Sequence, residues 1–387
     1  MERELSCRVL LITGEISGDV YGYFLIKRIK EIDPSIHFIG IGGPKIRSLG
    51  IESLFSAESL ALVGIPKISE LKKYWYVYKR IEDILKKRKV DVVVLVDFPG
   101  FNLKIAKLAK KLGYPVIYYV APQVWAWHRN RIKILKKCVD RLYVILPFEK
   151  KFFESYGITT VFLGHPILDI IKTNLSPKMF FEIYRLDEKK PLISFFPGSR
   201  ENEIKRHIPL FLKVFKRLKA ERPDIQGIMV KTSGLSENMF WDMAREHIKV
   251  IEGGQYEILN CSKVALLASG TITLESAIIG IPAVVTYSLP FWMYFIAKKL
   301  IKVPYISLPN LILQKEVYPE ILEEKNKIER LSQAILKLIE NKEIRENIKE
   351  NLAEIKKKIG PLGASWRIAE DMVKYILSLR RIAFRSL

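Results

Sequence analysis

Apolar residues in the first part of the chain come in short, dense runs, broken only by His37 and Asp91 near their starts, rather than in alternation. Residues 9–13, 36–41, 90–96 and 116–120 are such runs, rich in Val, Ile and Leu, and each gives way to a polar or glycine-bearing loop. A strand with one face in water alternates, whereas a strand covered on both faces does not. With helical sequence between the runs, such as residues 20–32, the pattern predicts parallel strands in βαβ order. The rhythm restarts after Asp169, with strands expected at 192–196, 227–230, 264–268 and 283–287. Two α/β domains follow, because 387 residues exceed one comfortable core. The polar, proline-bearing stretch 174–177 lies in the linker, and the domains are expected at 1–172 and 173–361. Beyond 323 the tail reads as helices, broken at Gly360-Pro361-Leu362-Gly363, which lets a last helix, 362–387, rejoin the first domain.

Residues 276–297 contain no charged side chain, and about 20 apolar residues can cross a bilayer. Gly280, Pro282 and Pro290 divide this stretch into a buried strand and a separate surface helix from Phe291, so no transmembrane helix is predicted. Met1 leads directly into the first strand without the apolar region and cleavage site of a secretory leader, and a cytoplasmic location is expected. Charge adds a bias: 64 Lys plus Arg against 42 Asp plus Glu give a formal +22, which favours polyanions or anionic lipid. No basic stripe interleaved with stacking aromatics accompanies it, so specific nucleic-acid binding is not expected. Runs such as 349–358 read instead as solvated helix faces. Cys7, Cys138 and Cys261 are scattered and odd in number, which argues against a disulfide framework and a structural zinc site.

In parallel α/β sheets ligands collect at the carboxyl ends of strands, so the loops there are searched first. Gly14-Glu15-Ile16-Ser17-Gly18-Asp19 opens a helix with two glycines and three hydrogen-bonding side chains. It lacks the GxGxxG spacing, and two carboxylates would repel a pyrophosphate, so a dinucleotide fingerprint is disfavoured; a helix cap is the plainer reading. Asp97-Phe98-Pro99-Gly100-Phe101-Asn102 sets a carboxylate at the mouth of the sheet, where it serves either as a general base or as a cap. Pro197-Gly198-Ser199-Arg200, followed by Glu203 and Arg206, suits a phosphate clamp, the alternative being a salt-bridged helix start. Ser269-Gly270-Thr271, with Glu275 one turn later, offers backbone N–H groups to a pyrophosphate and a carboxylate to ribose hydroxyls. That pairing suggests a nucleotide diphosphate sugar.

These loops, in this order, resemble those of the lipid-A-disaccharide synthase family. The resemblance rests on Gly14-Glu-x-Ser-Gly-Asp19, Gly42-Gly43-Pro44, Asp97-x-Pro-x-Phe-Asn102, Pro122-Gln-Val-Trp-Ala-Trp127, Leu146-Pro-Phe-Glu149, Gly164-His-Pro166, Pro197-Gly-Ser-Arg200, Ser269-Gly-Thr271 with Glu275, and Leu308-Pro-Asn310, and spans residues 8–320. The Trp-Ala-Trp run is the most specific piece. The chain departs from the family where many relatives carry a second acid at Gly100, and where a Gln commonly follows the pair Pro319-Glu320.

The resemblance implies an α/β GT-B architecture, two Rossmann-like domains with parallel sheets facing across a cleft. It also implies an inverting, metal-independent transfer of 2,3-diacylglucosamine from its UDP derivative to 2,3-diacylglucosamine 1-phosphate, without a cofactor, in a Gram-negative host. Asp97, Arg200 and Asn310 match positions linked to activity, and the Ser269 turn with Glu275 matches the UDP site. Glu15 and Asp19 rival Asp97 as base; from their own loops, not from the resemblance, Ser17, Asp19 and Ser199 are further candidate substrate contacts, and Trp125, Trp127 and His128 either line the sugar cleft or pack as core. Residues 63–78 mix apolar, aromatic and Lys side chains, as a peripheral contact with the anionic inner face of the inner membrane would, or as an ordinary packed helix would. A homodimer stays open. The rival reading is another UDP-GlcNAc enzyme of the same fold, a lipid-carrier transferase or a 2-epimerase.

Overall fold

The apolar runs become parallel strands. β1 (Cys7–Ile12), β2 (Ile36–Gly42), β3 (Glu52–Ser56), β4 (Val92–Val96), β5 (Val116–Tyr119), β6 (Arg141–Val144) and β7 (Thr160–Phe162) form a seven-stranded sheet in the order β3-β2-β1-β4-β5-β6-β7. β8 (Leu192–Phe196), β9 (Gln226–Lys231), β10 (Lys249–Glu252), β11 (Val264–Ala268), β12 (Ala283–Thr286) and β13 (Glu320–Ile321) form a second sheet in the order β10-β9-β8-β11-β12-β13. In this computed structural model residues 7–57, 68–231, 236–288, 303–322 and 325–385 are described. The chain divides into two units, one of Met1–Asp169 with Ile359–Leu387 and one of Ile170–Lys358. Each is a Rossmann-like α/β domain.

Every side chain of β4, β8 and β11 is buried. A strand so placed must be covered by helices on both faces, which is why its sequence does not alternate. The first core runs through Leu10, Ile12, Val93, Leu95, Tyr118 and Leu142. On this unit the final helix, Ala364–Arg385, packs against the first, Ile16–Ile32. Asp169 accepts backbone N–H groups from Gly363 and Ser365 at 2.6 and 2.7 Å, capping the final helix, and Asp371 on that helix accepts from Arg141 and from the Tyr143 hydroxyl. Among the described residues no helix is long and apolar enough to cross a membrane. The surface helix expected from Phe291, and the 63–67 start of the aromatic, lysine-bearing segment, lie outside them.

Candidate active site

The strand order reverses between β1 and β4 in one sheet and between β8 and β11 in the other. At such a switch point the chain leaves neighbouring strands in opposite directions and a crevice opens at their carboxyl ends. The four loops singled out above are the ones that follow β1, β4, β8 and β11.

On the first unit the loops after β1 and β4 are locked together. Asn102 is fully buried, and its Nδ2 donates to the carbonyls of Ile12, Val96 and Asp97 at 3.2, 3.2 and 2.8 Å. The Tyr118 hydroxyl donates to the Asp97 carbonyl at 2.6 Å. A β-carbon on Gly14 would stand 2.5 Å from the Phe98 ring, and one on Gly18 only 2.2 Å from Thr13 Oγ1, so both positions need glycine. Asp97 and Phe98 are left-handed, with φ of 49° and 50°, and Val120 and His128 on the same rim have φ of 62° and 54°. Each costs about 1–3 kcal/mol for a side chain with a β-carbon and is held only because its surroundings over-determine it.

Ser17 Oγ donates to Asp97 Oδ2 at 3.4 Å, so these two expected site residues are together. Glu15 sits at the N-cap of the first helix, and its side chain does not cap it. Asp19 is buried, and both of its oxygens are occupied: they accept the N–H groups of Lys45 and Ile46 at 3.0 and 3.1 Å and so cap the short helix Pro44–Arg47. The cap accounts for Gly43, where a β-carbon would stand 2.5 Å from the Asp19 carboxylate. Trp127 is 50% exposed and its ring lies 4.7 Å from that of His128. Trp125 is buried, its Nε1 donating to Glu149 Oε1 at 3.0 Å, while Glu149 Oε2 accepts from Leu146 N at 3.1 Å. Burial pushes the Glu149 carboxyl up to about 7, with hydrogen bonds from Trp125 and from the Leu146 and Ile145 backbone opposing the shift and the nearby Asp97 charge adding to it.

On the second unit Arg200 precedes the helix Glu201–Glu221 and pairs with Glu203 at 3.0 Å, the salt-bridged helix start weighed for this loop. More than half of its side chain still faces solvent, as does Ser199. Glu203 also accepts from the Tyr287 hydroxyl at 3.0 Å. His207, fully buried, joins the loops after β8 and β12: its Nδ1 lies 2.7 Å from the Pro197 carbonyl and its Nε2 accepts Ser288 N at 3.0 Å. That pattern assigns the proton to Nδ1, and burial holds the imidazole below its ordinary pKa.

Asn310 is fully buried, and its amide is saturated inside the unit. Nδ2 donates to the Tyr318 carbonyl and to Glu320 Oε1, both at 2.8 Å, and Oδ1 accepts from the N–H groups of Val317 and Tyr318. No donor or acceptor of this side chain is left for a reacting atom. Glu320 in turn receives Ile306 N, Ser307 N and Ser307 Oγ, holding the loop to whose Ile306 carbonyl Ser269 Oγ donates at 3.0 Å. The turn after β11 leads into the helix Thr271–Ile279 with Gly270 at its N-cap. The Gly270 backbone is extended and nothing lies within 4 Å of where a β-carbon would be, so the protein itself does not demand glycine there. Burial pushes the Glu275 carboxyl up to about 7, and among the described residues no hydrogen bond or ion pair reaches it.

The sequence reading overlooked His207, Tyr287, Glu320 and Tyr118, whose partners sit on other loops and elements at 10 to 84 positions' remove, and it gave Glu149 no role. Glu149 had a legible signal: with Pro147 at the first helical position, a glutamate at the third can reach back to the N-cap N–H, and Glu149 Oε2 does accept Leu146 N. Among the described residues no group of three or more His, Cys, Asp or Glu is arranged to hold a metal ion.

Two Rossmann-like parallel-sheet domains, each with helix-opening loops at its switch point, are the architecture of the GT-B fold class. The fold is shared with a UDP-GlcNAc 2-epimerase from Neisseria meningitidis solved with UDP-GlcNAc, at a TM-score of 0.67, 14% identity, and coverage of 95% of this chain and 100% of that one. It is shared as well with the kitacinnamycin glycotransferase, at a TM-score of 0.64, 12% identity, and coverage of 96% and 99%. Within that class the chain belongs to the lipid-A-disaccharide synthase family, whose model, described as lipid-A-disaccharide synthetase, matches residues 9–367. Among its relatives are the lipid-A-disaccharide synthases of Trichlorobacter lovleyi, 34% identical over 94% of this chain and 96% of that protein, and of Nitrosococcus oceani, 36% identical over 94% of each.

Proposed function

We propose that the chain transfers 2,3-diacylglucosamine from UDP-2,3-diacylglucosamine to the 6-hydroxyl of 2,3-diacylglucosamine 1-phosphate, with inversion to a β-1,6 linkage and release of UDP. Family membership supports this reaction over epimerisation. The observation that carries the nucleotide half is Glu275, a withdrawn carboxyl without a partner among the described residues, one turn into a helix whose opening glycine the protein does not need. A nucleoside diphosphate answers both features. Its pyrophosphate takes the N–H groups at Gly270 and Thr271, where the helix dipole favours an anion, and its ribose hydroxyls donate to Glu275. Arg200, on the loop after the adjacent strand β8, stabilises the leaving diphosphate, with Ser199 as a further donor.

The first unit is the acceptor and lipid side in this reading. Asp97 removes the proton of the acceptor 6-hydroxyl as that oxygen bonds to C1 and the bond from C1 to the UDP oxygen breaks. Asp19, whose two oxygens already cap the helix Pro44–Arg47, is the weaker candidate for base, and Ser17 orients Asp97. Asn310 is a positioning residue, acting through Glu320 on the loop that Ser269 touches. Trp127 presents its ring to a sugar face.

Acylated substrates enter from a bilayer, and the helix Ile68–Lys86 supports peripheral contact with its inner anionic face. Trp75 and Tyr76 are 64% and 60% exposed beside exposed Lys72 and Lys73. Apolar rings that enter the interface and cations that meet lipid phosphates are the two parts of such a contact.

Mass spectrometry of the product from the UDP-sugar and the 1-phosphate acceptor tests the reaction. The expected mass is that of a tetraacylated disaccharide 1-phosphate. Absence of the disaccharide mass, with an epimerised sugar nucleotide of unchanged mass seen by proton NMR, would overturn the reading in favour of an epimerase.

A further inference from the structure

Arg131 begins the helix Arg131–Cys138 and has no part in the chemistry assigned so far. Its side chain is half-buried, yet among the described residues its guanidinium makes no hydrogen bond and no ion pair. A guanidinium drawn away from water normally finds an acceptor for some of its five donors. Here its surroundings offer none of opposite charge. The Trp127 ring centroid is 5.9 Å away, His128 is near enough for the two cations to disfavour one another, and the third neighbour that feels Arg131 is the Tyr118 phenol. Burial also holds both Arg131 and His128 below their ordinary pKa values, as expected of basic groups awaiting an anion.

The position of this corner is informative. The Tyr118 hydroxyl donates to the Asp97 carbonyl at 2.6 Å, and the Arg131 charge bears on the same phenol, so the proposed base and Arg131 are both neighbours of Tyr118. The acceptor sugar carries the attacking 6-hydroxyl on one side of its ring and a phosphate on C1 at the other. A molecule with its hydroxyl at Asp97 therefore needs a cation about one sugar ring away, and an exposed aromatic face beside the ring. His128 is kept in a left-handed backbone conformation there, a strain the fold tolerates at ligand sites more than elsewhere.

We infer that Arg131, with His128 and the Trp127 face, forms a subsite for the phosphate monoester on C1 of the acceptor. The planar fork of Arg131 suits two phosphate oxygens at once, and the phosphate dianion supplies the missing counter-charge. The inference rests on the acceptor proposed above, and it makes Arg131 a determinant of acceptor choice rather than of the donor.

The test compares Arg131→Ala, Arg131→Lys and the unaltered enzyme on two acceptors, 2,3-diacylglucosamine 1-phosphate and the same sugar without phosphate. The unaltered enzyme is expected to prefer the phosphorylated acceptor in kcat/KM. Arg131→Ala lowers that preference roughly 10- to 100-fold, the worth of charge-assisted hydrogen bonds, with the KM for the UDP-sugar unmoved. Arg131→Lys, keeping the charge without the fork, falls between. An equal loss on both acceptors means that Arg131 only supports the rim and overturns the assignment. Binding of the variants to vesicles of anionic and of neutral phospholipid separates the other source of phosphate: a loss specific to anionic vesicles, with acceptor preference intact, assigns Arg131 to lipid headgroups and also overturns it. If the unaltered enzyme makes no disaccharide from either acceptor, the reaction itself is misassigned and the subsite falls with it.

Discussion

Replacing Glu275 by Gln keeps the shape of the side chain and removes its charge. In the free protein burial pushes this carboxyl up to about 7. Ribose hydroxyls donate best to the ionised form, so nucleotide binding draws the proton off. About one tenth of a group with pKa 7 is ionised at pH 6 and about nine tenths at pH 8, so the Kd for UDP is expected to rise about tenfold between pH 8 and pH 6. Glu275→Gln loses the charge-assisted bonds, about 1.5–3 kcal/mol or roughly 10- to 150-fold in Kd at pH 8, and the two proteins converge toward pH 6. Stability runs the other way. A carboxyl whose folded pKa is raised holds its proton more tightly in the native state, so the free enzyme loses stability as pH rises from about 4.5 to about 7 and no further above. The loss is on the order of 3 kcal/mol, and the neutral variant escapes it. Isothermal titration calorimetry with UDP at pH 6 and 8, beside urea unfolding at pH 4.5 and 8, reads both. Ionisation of UDP itself enters both proteins alike and cancels in the comparison. If the variant binds UDP as well as the unaltered enzyme at pH 8, or follows the same pH profile, Glu275 does not meet the ribose.

Asp97→Asn removes the proposed base and is expected to lower kcat by about 10²- to 10⁴-fold with the Kd for UDP unchanged; steady-state rates with calorimetry decide, and a rate within a few-fold of the unaltered enzyme rejects Asp97. Asp19→Ala leaves the Lys45 and Ile46 N–H groups without their cap, costing about 1–2 kcal/mol in denaturant unfolding; a loss of turnover at unaltered stability would instead restore Asp19 to the chemistry. Trp75→Ser is expected to weaken binding to anionic vesicles several-fold, the remainder being suppressed by salt, with turnover of detergent-dispersed substrate unchanged.

What the sequence disclosed tracks burial except at β6, an interior and mostly buried strand whose four residues begin with Arg141 and make no long apolar run. β4, β8 and β11 lie inside their sheets with both faces covered, and their runs of Val, Leu, Ile and Phe are legible without a partner in view. β3 and β10 are edge strands with no buried residue, and Glu52–Ser56 and Lys249–Glu252 are not among the expected strands because, with their outer side open to water, they carry no continuous apolar run. β7 and β13, the opposite edges, have only three and two residues, too few for any period. The same division runs through the site. Glycine turns at strand ends announce themselves locally. The role of Asn102 does not, because it consists of three carbonyls, one of them 90 positions away. Nor does the saturation of the Asn310 amide, nor the capping by Asp19 of N–H groups 26 and 27 positions away.

The left-handed backbone at Val120 has a consequence for anyone who would harden this enzyme against heat. A β-branched residue is among the worst choices for that geometry, and glycine would relax it. A screen that rewards survival alone should therefore drift toward glycine at the rim after β5, and its winners should be sturdier proteins with looser, slower mouths.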